Sequence, residues 1–186
     1  VPRLTPTTAL GGTAPRIDEI GGLRITEIAD PSLAALAMRA KKNAAFTKAA
    51  KAAFGANLPA PNTAAMTDRH AVIWMGPDQY LVEANSADAS LAGTLADNFG
   101  SAASITDASD AWVRFDLTGS DNIAMLERLS AADSRSMTAG TATRTPIHHM
   151  ACLFLCREAG ASFSIYGPRS SASSLHHALI TAAASL

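Results

Sequence analysis

The stretch AVIWMGPDQYLVEA, residues 71–84, is where the fold can be read. Ala71 to Met75 and Gln79 to Ala84 are β-rich runs, and Gly76-Pro77-Asp78 between them is turn chemistry, so the stretch predicts a hairpin with Trp74 and Tyr80 as cross-strand aromatics. A hairpin imposes antiparallel pairing. C-terminal to it, Ser86 to Phe99 reads as a helix with Leu91, Ala92, Leu95 and Phe99 on one side. Ser104 to Asp107 and Trp112 to Leu117 follow as a pair of strands, and Ser120-Asp121 starts a helix whose Ile123, Leu126 and Leu129 face inward. Ser130 to Gly140 is polar and turn-rich, a loop. Thr143 to Arg157 and Ser162 to Tyr166 predict a second hairpin about Glu158-Ala159-Gly160, and an amphipathic helix after Pro168 carries the stripe Leu175, Ala178, Leu179, Ala182 and Leu186.

On the N-terminal side, Gly22 to Ala29 alternates as a short strand, with Leu23, Ile25 and Glu27 on one face. Asp30-Pro31 reads as the cap and first turn of a helix with Leu33, Leu36, Ala37 and Ala40 as its apolar face. A further helix, Ala44 to Phe54, has Asn43 as cap and Gly55 as stop. Residues 1–21 are rich in Pro, Gly and Thr without apolar period and read as a flexible N-terminal arm. The expectation is one α+β domain over 22–186: a two-layer antiparallel sheet with helices on one face, of ferredoxin-like character.

Composition sets bounds on function. The chain has 186 residues, 48% of them apolar, but only six Phe, two Trp and two Tyr. Alanine is roughly a fifth of the total, which favours helices yet buries little area per side chain, so a domain of this kind leans on a partner. The longest apolar run, Met150 to Cys156, is far short of the 18 or so residues a membrane span needs. No membrane is expected. Two cysteines four apart build no framework of bridges, and no charged-then-apolar leader is present, so a reducing cytoplasm is the expected compartment.

Charge is uneven. All four lysines (Lys41, Lys42, Lys48, Lys51) and Arg39 fall between residues 31 and 67, where no Asp or Glu occurs, so that window is +5 in a chain of net charge -1. The run lacks interleaved aromatics for stacking bases and the chain is slightly acidic, which argues against nucleic acid. Two readings stay open for it: a solvated helix face, or docking on an acidic protein surface.

Local clusters give little chemistry. His148, His149, Cys152 and Cys156 offer zinc-ligand types, but residues four apart in a strand stand about 13 Å from each other, too far to share one ion or a disulfide. His176-His177 lies beside Ser170, Ser171, Ser173 and Ser174, yet no Gly-x-Ser-x-Gly elbow is there and helix capping explains the serines. Asp107 and Asp110 flank a turn and read as local hydrogen-bond acceptors. No phosphate loop or dinucleotide fingerprint occurs. Arg114, on a strand with Trp112 and Phe115, stands out as a candidate for a buried ion pair or an interface contact.

Five longer strings act together. They are Phe54-Gly55 with Leu58-Pro59 and Pro61-Asn62; Trp74 to Leu81; Asp107 to Trp112; Leu117-Thr118-Gly119; and Tyr166-Gly167-Pro168-Arg169-Ser170. In this order, from about residue 22 to the C-terminus, they resemble the gamma subunit of heterotetrameric sarcosine oxidases, a chain type shared with complexes such as N-methylglutamate dehydrogenase. Relatives often carry Cys where Ser130 stands here. The resemblance implies a non-catalytic accessory chain with a fold similar to the tetrahydrofolate-binding part of glycine-cleavage T-protein. It implies alpha, beta and delta subunits as partners, alpha in direct contact, and a complex using FAD, FMN, NAD and tetrahydrofolate, none of them bound by this chain. Arg39, Lys41, Lys42, Lys48, Lys51 and Arg114 are the expected partner-interface residues. A rival reading is a small folate-binding transferase acting alone on one-carbon units.

Overall fold

The computed structural model describes residues 5–186; residues 1–4 of the expected arm lie outside the described residues. In chain order the strands and helices are β1 (Ile17–Ile20), β2 (Leu23–Ile28), β3 (Leu33–Met38), α1 (Asn43–Phe54), β4 (Ala64–Met66), β5 (His70–Gly76), β6 (Gln79–Ala84) and α2 (Leu91–Phe99). They continue as β7 (Ala103–Asp107), β8 (Trp112–Gly119), α3 (Asn122–Leu129), β9 (Ala142–Ile147), β10 (Met150–Glu158), β11 (Ser162–Pro168) and α4 (Ala172–Ala184). The fold is α+β, with two antiparallel sheets among the described residues, ordered β1-β2-β8-β11-β10-β9 and β4-β5-β6-β3-β7. The described chain gathers into two compact units, one from residues 5–30, 111–139 and 143–186, the other from 31–110 and 140–142.

The second unit runs β3-α1-β5-β6-α2-β7, and its sheet order β5-β6-β3-β7 is the split βαββαβ arrangement, with β4 added at the edge. Its core lies between the helices and one sheet face: Phe46, Ala50 and Phe54 of α1, and Leu91, Leu95 and Phe99 of α2, pack with Ala34, Leu36, Val72 and Val82. The first unit repeats the plan in permuted form. β8-α3-β10-β11-α4 gives sheet order β8-β11-β10, and the place of the fourth strand, beside β8, is taken by β2 from the N-terminal side. Its core joins Leu23, Ile25, Phe115, Leu117, Phe154 and Phe163 to Met125 and Leu126 of α3 and Leu175 and Leu179 of α4.

The two predicted hairpins form. β5 and β6 pair with Trp74 opposite Tyr80, and β10 and β11 pair with Leu153 opposite Tyr166. The predicted single strand over Thr143 to Arg157 is interrupted, because His148 and His149 adopt positive φ (44° and 69°) and turn the chain between β9 and β10. The motif glycines have steric reasons. Gly119 has φ of 126°, and a Cβ there would lie 1.9 Å from the carbonyl oxygen of Gly22. A Cβ on Gly167 would lie 2.5 Å from Leu175 Cδ2, so this glycine lets α4 close on its strand.

Several local expectations are corrected. The helix expected over Pro31 to Ala40 is strand β3, paired to β6 on one side and β7 on the other. Ala34 and Leu36 are buried on one face and Leu33 on the other, with Ala35 exposed, so the apolar residues do not alternate cleanly and their spacing also matches a helix. Asp30 has φ of 48° instead of capping. β7 and β8, expected as a pair, belong to different sheets. Helix α2 starts at Leu91, later than Ser86, and Leu186 is 47% exposed beyond the end of α4.

Candidate partner interface

Helix α1 is held from beneath by rings. Phe46 stacks on Tyr80 at 6.0 Å between centroids and meets Phe99 at 5.2 Å, while Phe54 meets Phe99 at 6.0 Å and His70 edge-on at 5.6 Å. That anchoring fixes the opposite face, which carries exposed Lys48 and Lys51 among exposed Ala44, Ala45, Thr47 and Ala52. Arg39, Lys41 and Lys42 are exposed in the turn entering the helix, and Arg39 Nε donates to Ser104 Oγ on β7 at 3.1 Å. Among the described residues, none of these five cations is in an ion pair.

The ends of α1 differ. At the C-terminus Gly55 adopts the left-handed conformation (φ 67°), its N–H donates to the Lys51 carbonyl, and Lys51 sits in the last turn, where a cation suits the helix dipole. At the N-terminus the capping position is Lys42, not Asn43; its side chain caps nothing, and the first turn holds no acid. The Lys42 carbonyl already accepts from the Phe46 N–H, so the helix begins one residue earlier than expected, and Asn43 Oδ1 turns to Thr47 Oγ1. Lys41 has φ of 63°, a region that favours Gly or Asn.

Arg114, the sixth interface candidate, lies in the other unit on β8. It grips Asp116 with two hydrogen bonds, Nε to Oδ1 at 2.8 Å and Nη2 to Oδ2 at 2.5 Å. Ser164 Oγ donates to the same carboxylate at 2.6 Å, Arg157 Nε donates to Ser164 Oγ at 2.8 Å, and Arg157 Nη2 donates to the Tyr166 hydroxyl at 2.7 Å. The register places Asp116 opposite Ser164 and Arg114 opposite Tyr166, so period-2 alternation brings the four to one face. Arg114 is thus in a partly buried ion pair, its side chain 17% and that of Asp116 25% exposed, which is one of the two roles open for it. Sequence reading missed Asp116, Arg157 and Ser164; the available signal was polar residues spaced two apart within apolar strands.

Glu27 is a second missed group. It is 1% exposed on the core-facing side of β2, and its carboxylate accepts the N–H of Leu10 (2.9 Å) and of Arg16 (3.0 Å), while Arg169 donates to the Thr7 carbonyl. Residues 7–16 are thereby tied to the unit, and β1 extends its sheet. Asp18 of β1 pairs with Arg16 and lies 2.7 Å from His176 Nε2, whose ring packs against Phe115. The Arg16 hydrogen bond holds the Asp18 carboxyl below its ordinary range, helped by His176 and opposed by burial.

Cys152 and Cys156 point into the core beside Phe154, and burial pushes the Cys152 thiol up to about 11. His148 and His149 sit in the turn, and no set of three metal-ligating side chains gathers among the described residues. Ser171 stands at the α4 capping position without a side-chain cap bond, so capping does not account for it. Asp107 accepts the Ser109 N–H at 3.0 Å, a local turn bond that holds its carboxyl low.

No protein-family model matches this chain, and no curated protein sequence does. Among solved structures it is similar to a chain of the heterotetrameric sarcosine oxidase from Corynebacterium sp. U-96 in complex with pyrrole 2-carboxylate. There the TM-score is 0.77 at 24% identity, covering 90% of this chain and 88% of that one. It is also similar to the glycine cleavage system aminomethyltransferase T from Bartonella henselae, with a TM-score of 0.57 at 15% identity. That likeness covers 83% of this chain and 44% of the transferase, so this chain spans less than half of it. At these identities the likeness is one of fold. No described helix is long and apolar enough to cross a membrane.

Proposed function

We propose that this chain is the gamma-type accessory chain of a cytoplasmic multisubunit flavoprotein that oxidatively demethylates sarcosine or a similar N-methyl amino acid and passes the one-carbon unit to tetrahydrofolate. One observation carries the reading: the correspondence with a chain of a heterotetrameric oxidase runs nearly end to end in both directions, 90% and 88%, whereas it takes in 44% of the transferase. The chain then contributes surface. FAD, FMN, NAD and tetrahydrofolate belong to companion chains of alpha, beta and delta type, with alpha the direct contact. Among its own charged groups, Arg114 and Glu27 are engaged within the first unit, which fits a scaffold better than a reaction centre.

Co-expression with the products of neighbouring reading frames tests this. The expected result is one particle containing this chain and a flavoprotein, which oxidises sarcosine and loses integrity when this chain is omitted. A chain that elutes alone beside an active flavoprotein contradicts it. Assaying the same particle with N-methylglutamate separates the two amine substrates. The transferase likeness favours a second reading, a stand-alone folate-binding aminomethyltransferase-like protein. Saturable heat on titrating the isolated chain with tetrahydrofolate would establish that reading; none is expected.

A further inference from the structure

We infer that the entry turn and outer face of α1, from Arg39 to Lys51, dock on an acidic protein surface carried by a companion chain; this rests on the reading of the chain as an accessory subunit. Three observations converge. The first is unbalanced charge: five exposed cations, no acid anywhere from 31 to 67, and no carboxylate partner for any of them among the described residues. Ordinary solvated helix faces intersperse the two signs.

The second is that the turn breaks the local rules of its own helix. Two ammonium groups stand at the positive end of the dipole, the capping side chain makes no bond, and a lysine occupies a left-handed conformation. A sequence serving the fold alone would place Gly or Asn at 41 and Ser or Asp at 42. Conflicts of this kind gather where a surface does something besides fold. A carboxylate-rich partner relieves all of the charge conflict at once.

The third is the texture of the face, which selects among polyanions. Beside the lysines lie exposed Ala44, Ala45 and Ala52, small enough for carboxylates of a folded partner to come close. Both aromatics of the helix, Phe46 and Phe54, are buried, so no stacking platform for bases is offered. The large hydrophobics exposed among the described residues, Ile17, Met66 and Leu186, are outside the segment, so it has no apolar wedge for a lipid surface.

The test uses the assembled complex, comparing wild type with the variant carrying Lys41→Glu, Lys42→Glu, Lys48→Glu and Lys51→Glu. Wild-type affinity for the companion chain should fall about tenfold as salt rises through the physiological range, since the contact is charge-driven. The variant should bind at least about a hundredfold more weakly at low salt, and its salt dependence should reverse in sign as salt screens the new repulsion. A double variant, Lys41→Gly with Lys42→Asp, guards against misfolding: the free chain should melt higher than wild type while docking weakens, opposite signs that a purely structural role cannot give. If wild type and variant assemble alike, the docking surface is elsewhere and the accessory role stands. If wild type itself does not assemble, the functional reading fails and this proposal with it. Tight wild-type binding to a DNA or RNA oligonucleotide, to anionic vesicles or to a second copy of the chain, abolished by the same substitutions, also overturns it.

Discussion

In the unit of the six-stranded sheet, Arg16, Arg24, Arg114 and Arg135 each meet a carboxylate, whereas in the five-stranded unit Arg39 and the four lysines meet none among the described residues. The two units share one βαββαβ plan, so topology does not cause the difference. In the first, charges hold the fold's own parts: Glu27 ties down residues 10–16, Asp18 ties β1 to α4, and Asp116 links neighbouring strands. In the second, charges stand on a helix already held by its aromatic underside. One unit closes on itself electrostatically, and the other keeps an open face.

Substitutions in each unit can sharpen or break that contrast. The largest effect belongs to the cores. Phe115→Ala in the first unit and Phe46→Ala in the second should each cost about 3–5 kcal/mol in urea unfolding, both rings being 0–1% exposed. Gly119→Ala comes next, at about 3 kcal/mol, because a methyl group would collide with the Gly22 carbonyl at a positive φ. A change below ~1 kcal/mol there would mean the β2–β8 pairing yields easily.

Glu27→Gln should cost about 1–2 kcal/mol by weakening the two backbone bonds and should speed proteolysis within residues 7–16. Lys42→Asp has the opposite sign. It should stabilise the free chain by about 0.5–1 kcal/mol through better capping and dipole match, and equal destabilisation would show that the lysine serves the fold.

Acid titration probes the closed unit. The Asp18 carboxyl is held low by Arg16 in the folded chain, so its stabilising contribution is present above the ordinary carboxylate range and is lost as pH falls through its folded value. Asp18→Asn should therefore flatten the acid limb of the stability curve and leave the neutral-to-basic limb unchanged.

What could be read in the sequence was what local chemistry decides. The Gly76-Pro77-Asp78 turn fixed β5 and β6, Gly55 fixed the end of α1, and the alternation Leu23, Ile25, Glu27 placed a carboxylate on a buried face without telling what it held. Non-local pairing could not be read. β3 is a strand because β6 and β7 flank it, although its leucines, three apart, fit a helical period and fall on opposite faces of the strand; β7 and β8 are close in sequence yet belong to different sheets. At the candidate interface the charge run was visible from composition. The left-handed Lys41 and the uncapped start of α1 were not, because they depend on where the helix begins.

Hydrogen exchange followed by mass spectrometry, comparing the isolated chain with the assembled complex, tests most directly whether the open face is the docking face. Slower exchange concentrated in the segment 39–51, with the peptides of β8, β10 and β11 little changed, is the expected pattern. Protection confined to the six-stranded unit, with 39–51 exchanging as freely in the complex as alone, would contradict it.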